Sequence, residues 1–76
     1  MQYPIDEKMQ KRLDNDYVYH APNADQQERY LILRQGGKQM AELIVLNSPP
    51  SREQSVALTL LEQVIMEANA AIARNE

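Results

Sequence analysis

Arg52 and Ser55 are the residues best placed in this chain to do chemistry. They lie three positions apart, just after Pro49-Pro50, at the start of a long stretch without Gly or Pro. A guanidinium and a hydroxyl one helical turn apart can converge on a single phosphate. The first turn of a helix adds free backbone N–H groups and the positive end of the helix dipole, a ready anion site. A plainer reading uses the same residues: Ser51 as N-cap, Gln54 closing a capping box, and Arg52 solvated with Ser55 incidental.

A second cluster, Tyr17, Tyr19 and His20, precedes Pro22. Its aromatic rings could stack on a planar ligand and its imidazole could hydrogen-bond one. Alternatively, the rings plug the end of a helical core. Other chemistry is scarce. There is no cysteine, so disulfides and thiolate metal sites are excluded, and His20 is the single histidine. Nucleophile elbows, phosphate-binding loops, zinc-protease motifs and dinucleotide fingerprints are absent. The expectation is a binding protein without catalysis, metal or cofactor.

The net charge of −3 argues against a general DNA binder, which normally shows a basic footprint. It leaves room for a small anion held by a few local cations. No apolar run approaches a membrane span, and Met1-Gln2-Tyr3-Pro4-Ile5-Asp6 lacks a signal peptide's basic and apolar regions. A soluble cytosolic protein is expected.

Three helices would position these residues, in one all-α domain over 1–76. The first, within 1–13, carries Ile5, Met9 and Leu13 at i, i+4, i+8, with Asp6 and Glu7 at its start and Lys11 and Arg12 at its end. A connector follows over 14–24. The second helix, over 25–47, starts with a capping-box spacing at Asp25 and Glu28 and has a seam of Tyr30, Leu33, Gly37, Met40 and Ile44. Gly36-Gly37 interrupts it. The seam keeps phase across the pair, which favours one continuous helix over a β-hairpin turning there. The third helix, over 51–74, would be roughly 36 Å long at ~1.5 Å per residue.

The short link at 47–50 makes the second and third helices an antiparallel hairpin. The third helix has a stripe of Leu61, Ile65, Ala68 and Ile72, widened by Ala57, Val64 and Ala71, while Leu60, Met66, Ala70 and Ala73 fall off it. One partner helix cannot cover so broad a surface. Either the N-terminal helix covers the excess or copies of the chain associate. A chain this small without disulfides favours a homo-oligomer.

Two stretches resemble a known family. One is Ser48-Pro49-Pro50-Ser51-Arg52-Glu53-Gln54-Ser55 with Ala57-Leu58-Thr59, Leu61-Glu62 and Ala68-Asn69-Ala70-Ala71-Ile72-Ala73-Arg74-Asn75. The other is Tyr19-His20-Ala21-Pro22 followed by Gln27, Arg29 and Tyr30. Together they are similar to the phage anti-CBASS cyclic-nucleotide sponges (anti-CBASS protein two), which share a helical hairpin with a Thoeris anti-defence protein. The likeness covers roughly residues 17–76.

The resemblance implies a homohexamer in the cytoplasm of an infected bacterial host. It implies sequestration, without cleavage, of cyclic dinucleotides such as cyclic GMP-AMP between protomers. A separate site on three-fold axes would take cyclic trinucleotides such as cyclic tri-adenylate. Arg52 and Ser55 match the family's trinucleotide residues. For the dinucleotide, the chain offers Tyr3, Tyr17, Tyr19 and His20 for the bases and Lys8 and Lys11 for the phosphates, with Asn23 where a lysine would be expected. The alternative is a small helical adaptor or inhibitor that binds a host protein through its apolar helix face.

Overall fold

Ser48-Pro49-Pro50-Ser51 turns the chain back on itself and sets the architecture. In the computed structural model, which describes residues 2–76, the elements are α1 (Glu7–Asp16), α2 (Ala24–Asn47) and α3 (Arg52–Asn75). No strand occurs among the described residues. Met1, counted in the expected first helix, lies outside them. The two prolines lack backbone donors and fix φ, so α2 stops at Asn47 and α3 restarts beyond them.

Side chains seal the turn. Ser51 Oγ accepts from Gln54 N at 3.1 Å, the expected N-cap. The reciprocal half of the expected box is replaced: Gln54 Nε2 donates to Ser48 O at 3.0 Å and to Ser48 Oγ at 3.2 Å. Gln54 therefore closes the turn across six residues instead of folding back on the cap.

The start of α2 also differs from expectation. Its cap is Asn23, which accepts from Gln26 N at 2.8 Å, while Gln26 Oε1 accepts from Asn23 N at 3.1 Å. The box is Asn23–Gln26, two residues earlier than Asp25–Glu28. Asp25 instead sits in the first turn, 3.0 Å from Arg29 Nε. At the other end of the chain, α1 runs three residues beyond its expected end, so the connector shrinks to 17–23. Lys11 and Arg12 then lie inside α1 and pair with Glu7 at 3.3 Å and Asp16 at 3.7 Å. Ile5 precedes the helix, which removes it from the expected stripe.

Helices α2 and α3 pack along a seam, and Gly37 is its closest point. A Cβ on Gly37 would meet Ile65 Cγ1 at 2.8 Å, whereas one on Gly36 would meet nothing within 4 Å. The α2 side of the seam is Tyr30, Leu33, Gly37, Ala41 and Ile44. Ala41 takes the place expected for Met40, which is exposed. The α3 side is Ala57, Leu58, Leu61, Ile65, Ala68 and Ile72, all half-buried. The α-helix is continuous through Gly36-Gly37, so no hairpin strands form there.

The seam leaves much apolar surface open. No hydrophobic side chain is buried among the described residues, and Gly37 alone is buried. Leu43, Val45, Leu46, Leu60, Val64 and Met66 are exposed. Helix α1 does not cover them, because it buries no residue and meets α3 at its C-terminal end. The chain measures 49 × 40 × 13 Å with a radius of gyration of 17.1 Å. A compact domain of this length would have about 11 Å. The molecule is a slab one helix thick.

Helix α3 is also long and apolar enough to cross a membrane by length and composition alone, with a mean hydropathy of 1.4. This corrects the expectation that no stretch approaches a span. The value is high because Glu62 and Glu67 are the only charges between Glu53 and Arg74.

The ends of the hairpin are tied by Arg29, whose Nη1 donates to Glu76 Oε2 at 2.7 Å and whose Nη2 donates to Oε1. Gln26 Nε2 donates to the same carboxylate at 3.4 Å. The hydrogen bond from Arg29, with help from Gln26, lowers the Glu76 carboxyl from 4.5 to about 2, and Arg29 is raised in turn. A depressed folded-state value means that the tie contributes fully above pH 4.5 and is lost as pH falls toward 2.

Two predictions follow from the seam and the tie. Gly36→Ala should stabilise the chain by up to ~1 kcal/mol, since it removes helix-interior flexibility without a clash. Gly37→Ala should destabilise it by ~1–3 kcal/mol through overpacking against the stiff, β-branched Ile65. Thermal denaturation of the two variants reads the contrast. Between pH 4.5 and 2 the wild-type melting midpoint should fall more than that of Glu76→Gln, and the two curves should converge at the acid end.

Candidate functional site

Two of the cavities among the described residues hold the strongest candidates from the sequence, and they sit at opposite ends of the hairpin. At the turn end, Arg52, Ser55, Val56, Thr59 and Leu60 line a shallow cavity of about 270 Å³. The helix places them: Arg52, Ser55, Val56 and Thr59 recur at three and four residues along α3. Arg52 has no ion-pair partner among the described residues, so its guanidinium is available to an anion. Gln54 N is satisfied by Ser51 Oγ and Ser55 N by Ser51 O, at 3.1 and 3.2 Å. The N–H groups of Arg52 and Glu53 then remain as the open donors of the first turn. Thr59 Oγ1 donates to Ser55 O at 3.0 Å, which keeps a second hydroxyl beside the cavity. Sequence reasoning missed Thr59, although its spacing of four from Ser55 carries the signal.

The open end of the hairpin holds a cavity of about 530 Å³. It is lined by Asp16, Val18, Tyr19, His20, Tyr30, Arg34, Asn69, Ala70, Ala73 and Arg74. The connector brings Tyr19 and His20 there. His20 Nε2 lies 2.8 Å from Asn15 O. A carbonyl only accepts, so Nε2 carries the proton of this contact. Asn15 Nδ2 in turn donates to Arg74 O at 3.0 Å, which ties the end of α1 to the end of α3. The aromatic rings do not plug the hairpin: Tyr19 is 83% and Tyr17 86% exposed, and only His20 is half-buried.

Tyr30, Arg34 and Arg74 belong to this cavity and were not picked out as ligand residues from the sequence. Tyr30 and Arg34 are four apart on α2, and Ala70 and Arg74 four apart on α3. Helical spacing therefore marks the faces. Which two faces meet is a property of the hairpin's register. Asn69 Oδ1 is buried beside the cavity without a hydrogen-bond partner.

The other candidates lie elsewhere. Lys8 and Lys11 flank a separate cavity of about 550 Å³ with Asp6 and Glu7, and Lys11 is paired with Glu7. Two carboxylates beside two amines leave that cavity without net positive charge. Tyr3 is 84% exposed on the chain preceding α1. Tyr17 is the C-cap of α1, its N–H donating to Leu13 O at 3.0 Å. Asn23 uses its side-chain oxygen as the cap of α2. Among the described residues, no cluster of three or more His, Asp or Glu side chains could hold a metal ion.

From Arg52 to Arg74 is roughly 33 Å along α3 at ~1.5 Å per residue. One ligand the size of a nucleotide cannot span the two cavities, so they are separate candidate sites.

The comparison with known proteins bears on what such sites serve. Neither the curated proteins nor the solved structures compared with the chain gave a match. The profile of the Acb2/Tad1 hairpin domain matches residues 9–73, from within α1 almost to the end of α3. The match takes in the capped turn, the Gly37 seam, the cavity at Arg52 and all of the open-end cavity's lining but Arg74. On that extent the chain belongs to the Acb2/Tad1 hairpin-domain family.

Proposed function

We propose that this protein is a phage-encoded sponge: a homo-oligomer that binds cyclic oligonucleotide second messengers and holds them intact, so that CBASS effectors in the infected host's cytoplasm are not activated. Family membership supports an anti-defence role for the hairpin. The observation that carries the reading is Arg52, which has no ion-pair partner among the described residues and lies beside Ser55 and the open first turn of α3.

One such site per chain suits symmetry. A cyclic trinucleotide such as cyclic tri-adenylate carries three phosphates. Three copies around a three-fold axis would set one Arg52 and one Ser55 against each phosphate. An acidic chain can therefore bind a trianion without a basic patch of its own. The open apolar faces of α2 and α3 offer surface for such an assembly, and a hexamer of two such trimers would contain two of these three-copy sites. Tyr19, His20, Tyr30, Arg34 and Arg74 offer aromatic faces and guanidiniums suited to a cyclic dinucleotide such as cyclic GMP-AMP at the other end.

The exposed apolar side chains of Leu43, Val45, Leu46, Leu60 and Val64 favour a second reading, an adaptor that docks a host protein. Native mass and ligand titration separate the two. The sponge reading expects the mass of six chains and heat on titration with cyclic tri-adenylate. A folded chain that stays monomeric at micromolar concentration and takes up neither ligand class would exclude it. Arg52→Ala should abolish cyclic tri-adenylate binding and leave cyclic GMP-AMP binding within about twofold. Equal loss of both would refute two sites. Ligand recovered after denaturation should be intact; linearised nucleotide would reveal a nuclease.

A further inference from the structure

We infer that Asp16 is a built-in counter-anion of the cavity at the open end of the hairpin, which an incoming anionic ligand displaces from Arg74, loosening α1. The inference rests on the proposed function only in taking the natural ligand to be a phosphate-bearing nucleotide.

Asp16 is the single carboxylate among the residues lining that cavity, against Arg34 and Arg74. Its Oδ1 lies 3.6 Å from Arg74 Nε, and its Oδ2 lies 3.7 Å from Arg12 Nε. Arg34 has no ion-pair partner among the described residues. One of the two lining guanidiniums is thus occupied by the protein's own carboxylate, and one is open. A phosphate entering between them competes directly with Asp16 for Arg74.

The same carboxylate helps to dock α1. That helix has ten residues and buries none, so it does not persist on its own. It meets the end of α3 through the Asp16–Arg74 pair and the hydrogen bond from Asn15 to Arg74 O. Arg74 contributes differently to each: its backbone carbonyl takes Asn15 and its guanidinium takes Asp16. A ligand that claims the guanidinium removes the charged half of the docking contact and leaves the backbone half. Arg12 stays beside Asp16 on the same helix, so the displaced carboxylate keeps a partner. Displacement is therefore cheap enough to occur on binding, and it couples occupancy of the cavity to the freedom of the N-terminal helix.

The test compares wild type with Asp16→Asn and Asp14→Asn in the full chain. Asp14 is exposed and two residues away, with its side chain bonded to Gln10 and outside the cavity lining. The Asp14 variant changes net charge equally and so reports any general field effect. Calorimetric titrations use inorganic pyrophosphate and cyclic GMP-AMP, and hydrogen exchange reads the α1 amides. Asp16→Asn should bind pyrophosphate and cyclic GMP-AMP roughly threefold or more tighter than wild type, with Asp14→Asn unchanged. The α1 amides should exchange faster in free Asp16→Asn and in ligand-bound wild type than in free wild type. Unchanged or weaker binding by Asp16→Asn, or an equal gain in both variants, overturns the inference. So does a liganded wild type whose α1 exchanges no faster than the free chain. If pyrophosphate shows the Asp16 effect and cyclic GMP-AMP binds to none of the proteins, the counter-anion stands and the dinucleotide reading of this cavity fails.

Discussion

The close approach of α2 to α3 at Gly37 and Ile65 governs how the whole hairpin is built. A helix pair of this length has one seam in which to bury side chains, and the depth of that seam is set where the backbones come closest. The missing Cβ at Gly37 brings Ile65 against the α2 backbone. From that point Leu61, Ala68 and Ile72 fall into place on one side, and Leu33, Ala41 and Ile44 on the other. The seam also fixes the register of the hairpin. Register places Tyr30 and Arg34 beside Ala70 and Arg74, and so it makes the cavity at the open end.

Both candidate sites use the ends of α3, for different physical reasons. At its start, the open N–H groups and the neighbouring Arg52 would give an anion a fixed set of donors. At its end, the chain folds α1 and the connector against the hairpin and builds a wall from Tyr19 and His20. The first site is local and belongs to one helix. The second is tertiary and needs the end of α1 and the connector held against α3, as the hydrogen bond from Asn15 to Arg74 O holds them. A local site survives disorder elsewhere, whereas a tertiary site reports on it.

That difference also explains what the sequence made legible. The hairpin could be read because its signals are short-range: prolines that stop a helix, Ser51 at a cap, and an apolar spacing that stays in phase through Gly36-Gly37. Arg52 and Ser55 were legible for the same reason. The exact caps were harder, because Asn23, Asp25, Gln26 and Glu28 all suit the start of a helix, and the choice depends on where Pro22 leaves the backbone. Met40 and Ala41 are neighbours on α2, and which of them faces α3 follows from the crossing of the two helices. The cavity at the open end was half legible: Tyr19 and His20 stand out by type, while Arg34 and Arg74 look like ordinary solvated charges until the hairpin brings them together. The end of α1 was misplaced because Asp14, Asn15 and Asp16 are poor helix formers, and the long-range contacts of Asn15 and Asp16 to Arg74 hold them helical.

The slab is 13 Å thick, and for the proposed sponge, which would act by stoichiometry, that thinness matters. A catalyst can devote most of its chain to an interior, since one active site is used many times. A sequestering protein removes ligand only in proportion to the number of chains made, so its capacity is measured in sites per residue synthesised. With no interior to fill, nearly every residue here lies on the seam, on a face available to a neighbouring copy, or beside a cavity. Under the proposed function, two separate cavities within these 76 residues would give a high binding capacity per unit of protein.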